Sequence, residues 1–199
     1  MFLPGTAWLL KNFNRITVAR NIPEQAQQRT QLKNTVFLLD KNTLGNTYGI
    51  HPALASRPLD AANVVRGYFR YARDIDQYHI PEHWPLTPAM VYDIIESGCD
   101  DCDGLSVTWV TVLHTFGYTD AQICISWFGD APPDGVWQVN HAHGLILNPE
   151  NPNDPFIVEL TTNDFGSRVP TLSECPKYHL FASSDGARTM IWRDECETA

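Results

Sequence analysis

The chain has no run approaching the roughly twenty apolar residues that a membrane-spanning helix requires, which argues against a helical membrane protein. Its start, MFLPGTAWLLKNFNR, lacks the basic-then-apolar order of a secretory signal, so the sequence reads as cytoplasmic. Five cysteines (99, 102, 124, 175 and 196) are too few and odd in number, a poor fit to a disulfide framework. Positive charge is scarce in the main body. Residues 1–50 carry six Lys/Arg against two Asp/Glu, whereas the remainder carries eight against twenty-one, with Lys177 its only lysine. An acidic body of this kind argues against nucleic acid as a partner. There is no internal repeat, no low-complexity tract, no second C-x-x-C and no twelve-residue calcium loop ending in Glu.

What is present is a packed globular composition, 43% hydrophobic and 11% aromatic over 199 residues, enough for one ordinary core. Residues 1–55 read as an extension that wraps the core or contacts a partner, with a short strand at 36–39 and turns from 42 to 52. Residues 56–199 read as one α+β domain with a mainly antiparallel sheet. Ser56-Arg57-Pro58 opens a helix to about Gln77, and Thr87-Pro88 opens a second that ends near Gly98. Strands are expected at 122–128, 136–147, 155–161, 178–182 and 188–193. NPENPND, between the second and third of these, is a strong turn signal.

The central stretch runs from Ser97 to Gly117. Cys99, Asp100, Asp101, Cys102 and Asp103 precede an amphipathic helix whose Leu105, Trp109, Leu113 and Phe116 share one face. A thiol at a helix N-terminus meets the dipole and free N–H groups, which favour thiolate and predict a depressed pKa, although the three aspartates oppose it. Those aspartates read as a solvated acidic face or a complement to the helix dipole. A cysteine nucleophile needs a base, and the base needs an acceptor that fixes its tautomer. His141 and His143 on VNHAHGLIL and Glu159 on PFIVELT supply both. A turn centred near Asn151 brings Glu159 opposite His143 and leaves His141 on the diagonal, both imidazoles on one face. His143 is therefore the expected base and His141 the alternative.

Other readings stand beside this one. Cys99 and Cys102 form a C-x-x-C that suits a redox pair or half a zinc site, and the two histidines could complete four ligands, though an i, i+2 histidine pair is not the usual structural spacing. Trp84, in a proline-rich loop, either covers the thiol or fills the core.

The order of these features resembles the transglutaminase-like superfamily, and within it the bacterial transglutaminase-like cysteine proteinases. Their pattern is W-x-T-P, then G-D-C-[DE]-D-[FLY], then A-H followed by apolar residues, then an apolar run ending in Asp. Here the counterparts are Trp84-Pro85-Leu86-Thr87-Pro88, one residue longer than W-x-T-P, Asp101-Cys102-Asp103-Gly104-Leu105, Ala142-His143 with Gly144 to Leu147, and Ile157-Val158-Glu159, within about residues 58–162. The resemblance implies a papain-like α+β core whose central helix bears the nucleophile at its N-terminus. It also implies Cys102 as nucleophile, His143 as base and Glu159 as orienting acid, with Trp84, Asp101 and Asp103 as site neighbours. The implied activity is hydrolysis of a peptide or carboxamide bond through a thioester, with a protein or peptide substrate and no cofactor or metal. Transamidation would use the same acyl-enzyme. Two departures matter: Glu159 stands for the usual Asp, and Gly104 stands where a second acid is common. A non-catalytic binding module and a zinc-binding module remain alternatives.

Overall fold

A computed structural model describes residue 32 and residues 36–54, 58–80, 83–132, 139–162 and 168–192. Helix α1 spans Lys41–Tyr48, α2 Pro58–Tyr68, α3 Asp74–Gln77, α4 Pro88–Ser97 and α5 Cys102–Thr115. The strands are β1 (Arg70–Tyr71), β2 (Cys99–Asp100), β3 (Ala121–Phe128), β4 (His141–Ile146), β5 (Phe156–Val158), β6 (Tyr178–Ser184) and β7 (Thr189–Ile191). The last five form one antiparallel sheet in the order β5-β4-β3-β6-β7, and β1 pairs with β2 in parallel. This is the expected α+β architecture. Among the described residues no helix is long and apolar enough to cross a membrane.

Local chemistry explains the helix ends. Thr87 caps α4 by accepting the Met90 N–H, Pro88 sits in its first turn, and Gly98 closes it in the left-handed region at φ 65°. The same devices build α1, where turns were expected: Asp40 accepts from Asn42 and Thr43, and Gly49 takes φ 68°. Its Leu44 is buried, with Leu32 and Leu39, in the main core. No strand forms at 36–39. The single helix expected from Ser56 to Gln77 is broken by β1, because Arg70 and Tyr71 extend to pair with Cys99 and Asp100. Ser56 itself lies outside the described residues.

Helix α5 is buried on every side from Asp103 to Thr115, not on one face as its periodicity suggests. The sheet covers one side, and α4 and α2 lie against it as well. Two of its polar side chains turn back on the helix: Ser106 donates to the Cys102 carbonyl at 2.6 Å and Thr115 to the Thr111 carbonyl at 2.8 Å. The sheet divides the interior. Ala142, Ile146, Ile123, Ile125 and Val158 share the core with α5. Cys124, Leu145, Ile157, Tyr178 and Leu180 form a second cluster.

Gly144 sets how closely α5 approaches β4. A Cβ there would lie 2.6 Å from Cζ3 and 2.8 Å from Cε3 of Trp109, which is fully buried. Gly144→Ala is expected to destabilise the fold by about 1–3 kcal/mol through overpacking. Denaturant unfolding measures it, and an unchanged midpoint would contradict this packing.

Candidate active site

Asp101 caps α5, its carboxylate accepting the Asp103 N–H at 3.2 Å, and Cys102 is the first helical residue. The thiol is therefore fixed at the helix mouth, where N–H groups lack intrahelical acceptors. The backbone N–H of Ala142 lies close enough to favour the thiolate. Strand β5 pairs only with Gly144, Leu145 and Ile146 of β4, so the ladder stops short of Ala142. Cys102 thus lies near the His141–Ala142 peptide.

The β4–β5 register matches the turn arithmetic, with Gly144 opposite Val158 and Leu145 opposite Ile157. The expected contact between Glu159 and His143 nevertheless does not form. Glu159 Oε2 lies 2.7 Å from His141 Nε2. Strand β5 ends at Val158, and diagonal neighbours on one face lie about 7–8 Å apart, within reach of a long side chain. The methylene that distinguishes Glu from Asp provides that reach. Glu159 also accepts from the Tyr178 hydroxyl at 2.6 Å, the Thr161 N–H at 2.8 Å and the Thr161 hydroxyl at 2.6 Å. Burial alone would raise its pKa. The His141 hydrogen bond and charge, with Thr161 and Tyr178, outweigh burial and hold it well below the usual carboxylate range.

His143 is enclosed. It has no exposed surface, its Nδ1 donates to the Gly144 carbonyl at 2.8 Å, and its ring stands edge-on to Tyr178 at 5.2 Å. Burial, then the neighbouring His141, push its pKa down to about 4. The two imidazoles do share a face, 5.9 Å apart between centroids. Alternation along β4 gives them equivalent directions; the end of β5 and the carboxylate make them different.

The cysteine does not behave as the helix dipole suggests. Burial raises the Cys102 pKa well above its ordinary value, Asp103 and Asp101 add to this, and the Ala142 N–H only partly opposes them. The rate of Cys102 alkylation by iodoacetamide is therefore expected to keep rising past the ordinary cysteine midpoint of about 8.5. A midpoint at or below that value would contradict a protonated resting thiol.

The acidic run is not a solvated face either. Asp100 and Asp103 are buried, and only Asp101 is partly exposed. Carboxylate oxygens of Asp74, Asp100 and Asp101 lie within 4.8 Å of one another, and ligand atoms of Asp101, Cys102 and Asp103 are equally close. The all-carboxylate group suits a hard cation such as calcium. Cys99 and Cys102 are both free thiols, Cys99 on β2. Trp84 is buried in the main core.

Sequence patterns gave no hint of Tyr178, which reaches Glu159 only because β6 pairs with β3 and sets Tyr178 opposite Phe128. Asp74 was missed too, although RDIDQY carries an acidic periodicity that a search for partners of the Asp100 run would have met.

No protein-family profile matches the chain, and no curated protein matches it by sequence. Solved structures do. LapG of Legionella pneumophila superposes with a TM-score of 0.53 at 15% identity, covering 82% of this chain and 86% of that one. Its EGTA-treated form gives 0.54 at 15% identity over 85% and 87%, and its calcium-bound form 0.53 at 15% over 83% and 86%. LapG is a transglutaminase-like cysteine protease, and this chain has the same transglutaminase-like fold.

Proposed function

We propose that the protein is a cysteine peptidase or amidase with Cys102 as nucleophile, His141 as general base and Glu159 as the group that orients and charges it. One observation carries this reading: Glu159 binds Nε2 of His141, the histidine whose peptide with Ala142 lies near Cys102. Nε2 being engaged, Nδ1 is the ring nitrogen left to exchange protons.

The chemistry follows from the state of the thiol. A protonated cysteine is a poor nucleophile, so its proton passes to His141 Nδ1 as the sulfur–carbon bond forms on the scissile carbonyl. The oxyanion draws on N–H groups at the start of α5. The imidazolium, stabilised by Glu159, gives its proton to the leaving nitrogen as the carbon–nitrogen bond breaks, and a thioester remains. Water, deprotonated by His141, then attacks the thioester, and the departing sulfur recovers a proton. An amine in place of water would give transamidation; nothing in the sequence suggests a dedicated amine site, which favours hydrolysis. His143, sealed and neutral, takes no part. LapG has been solved calcium-bound. In this chain Asp74, Asp100 and Asp101 would hold such a cation, whose charge would offset carboxylate repulsion beside the thiol.

The test is digestion of a proteome-derived peptide library, read by mass spectrometry, with wild type, Cys102→Ala and Cys99→Ala. Cleavage is expected from wild type and Cys99→Ala and is expected to vanish with Cys102→Ala. If Cys102→Ala cleaves as wild type does, Cys102 is not the nucleophile. If no protein cleaves any peptide, the chain is a non-catalytic module of this fold.

A further inference from the structure

Gly104 lies in the first turn of α5, where a glycine costs about 1 kcal/mol relative to alanine. Its place is filled from elsewhere. A Cβ on Gly104 would lie 2.3 Å from both Cγ and Oδ2 of Asp100 and 2.9 Å from its Oδ1. The Asp100 carboxyl thus occupies the volume in which a side chain at 104 would begin. In the pattern G-D-C-[DE]-D-[FLY], glycine precedes the D-C pair and an acid follows two positions after the cysteine. This chain has the reverse at both places: Asp100 where the glycine stands and Gly104 where the acid stands. Either change alone fails sterically or leaves a gap; together they put one carboxyl in one space.

The bonds of that carboxyl say what it does. Asp100 has no exposed surface, and its Oδ1 accepts the Asp101 N–H at 2.8 Å. Its Oδ2 accepts the Tyr78 hydroxyl at 3.3 Å, and the carboxyl lies within 4.8 Å of that of Asp74, which in turn accepts the His83 N–H. Its own backbone is held from the other side, Ala72 N–H donating to the Asp100 carbonyl at 3.0 Å. Asp101 is the residue that caps α5, and Cys102 lies between that cap and the Asp103 N–H that it binds. A rotation of the Asp101 peptide would therefore swing the Cys102 Cα–Cβ bond.

We propose that Asp100 and Gly104 are an exchanged pair, in which the acid expected after the nucleophile is delivered from the strand before it, and that the Asp100 carboxyl is a positioning residue for Cys102. The second half rests on the reading of Cys102 as nucleophile; the exchange does not.

The experiment uses the full chain with Asp100→Gly, Gly104→Asp, the double variant and Asp100→Asn. It reads the thermal midpoint and the rate at which p-nitrophenyl acetate acylates Cys102, with Cys102→Ala as the blank. Gly104→Asp is expected to lower the midpoint most, since two carboxyl groups would claim one space. Asp100→Gly is expected to fold but to acylate about tenfold to a hundredfold more slowly, the size of effect a displaced reacting group produces. The double variant is expected to return to within about threefold of wild type in rate and to exceed the Gly104→Asp midpoint, a coupling that independent sites do not show. Asp100→Asn keeps an acceptor for the Asp101 N–H, and its rate is expected to exceed that of Asp100→Gly. A double variant whose midpoint loss is the sum of the single losses overturns the exchange. An Asp100→Gly rate equal to wild type, or an Asp100→Asn rate as low as that of Asp100→Gly, overturns the positioning role. A wild-type rate no faster than the Cys102→Ala blank sinks the nucleophile assignment and the positioning role with it, while the midpoints still decide the exchange.

Discussion

His141→Ala is expected to lower Cys102-dependent peptide cleavage by about a hundredfold to ten-thousandfold, the range associated with loss of a general base. His143→Leu is expected to leave cleavage nearly unchanged. The contrast is strong because the two histidines are two residues apart on one strand face, and only their surroundings differ. His141 is partly exposed and bound to a carboxylate through Nε2. His143 is sealed against Tyr178, and its pKa of about 4 makes it a weak proton acceptor. Leucine has a similar volume and no charge, so the variant separates chemistry from packing. It also has a second readout. A histidine depressed to about 4 from 6.5 contributes stability that is present above pH 6.5 and lost as pH falls through 4. Removing the group removes that acid loss, worth about 3 kcal/mol when complete. His143→Leu is thus expected to gain stability relative to wild type between pH 6.5 and 4 in urea titrations. Full cleavage by His141→Ala alongside a dead His143→Leu would reverse the assignment of the base.

Substitution of Glu159 is expected to be nearly as costly. Glu159→Gln keeps an oxygen for the surrounding donors but removes the charge that stabilises imidazolium, and loss of an equivalent carboxylate costs about 10⁴ in kcat in a serine protease. Here the loss is expected to reach at least about a hundredfold at neutral pH. Glu159→Asp is the sharper variant. Aspartate is the residue the resembled pattern carries, yet the diagonal from the end of β5 to His141 suits the longer arm. The shorter carboxylate is therefore expected to impair cleavage as well, and to lose bonds to Tyr178 and Thr161. The acid limb offers a third measure. Glu159 has a depressed pKa, so it contributes stability that is present above its unfolded pKa of 4.5 and is lost as pH falls through its much lower folded value. Glu159→Gln should flatten stability below pH 4.5. Unimpaired cleavage by Glu159→Asp would show that the carboxylate does not depend on the diagonal reach.

Much of the scaffold is written locally. Thr87 and Gly98 mark the ends of α4 because a cap side chain and a left-handed glycine act within a few residues. Cys102 at the first turn of α5 is legible for the same reason, and the β4–β5 register follows from the turn between them. Periodicity misjudged α5 because its threonines and serine look like a polar face, yet all are buried, and the Ser106 and Thr115 hydroxyls turn back on the helix. It also ran one helix through Arg70 and Tyr71, which extend only because a distant strand is there to pair with them.

The site itself divides along the same line. That a thiol, two histidines and a carboxylate belong together could be read from residue types, spacing and the register of one hairpin, all of which are properties of short stretches. Which histidine receives the carboxylate could not, because alternation gives His141 and His143 the same direction. The choice depends on where β5 stops, on a Tyr178 delivered by β6, and on a diagonal that glutamate spans. The helix dipole, a local property, predicted a depressed thiol pKa. Burial and two neighbouring carboxylates reversed the direction, because the cost of removing a charge from water is set by everything packed around it.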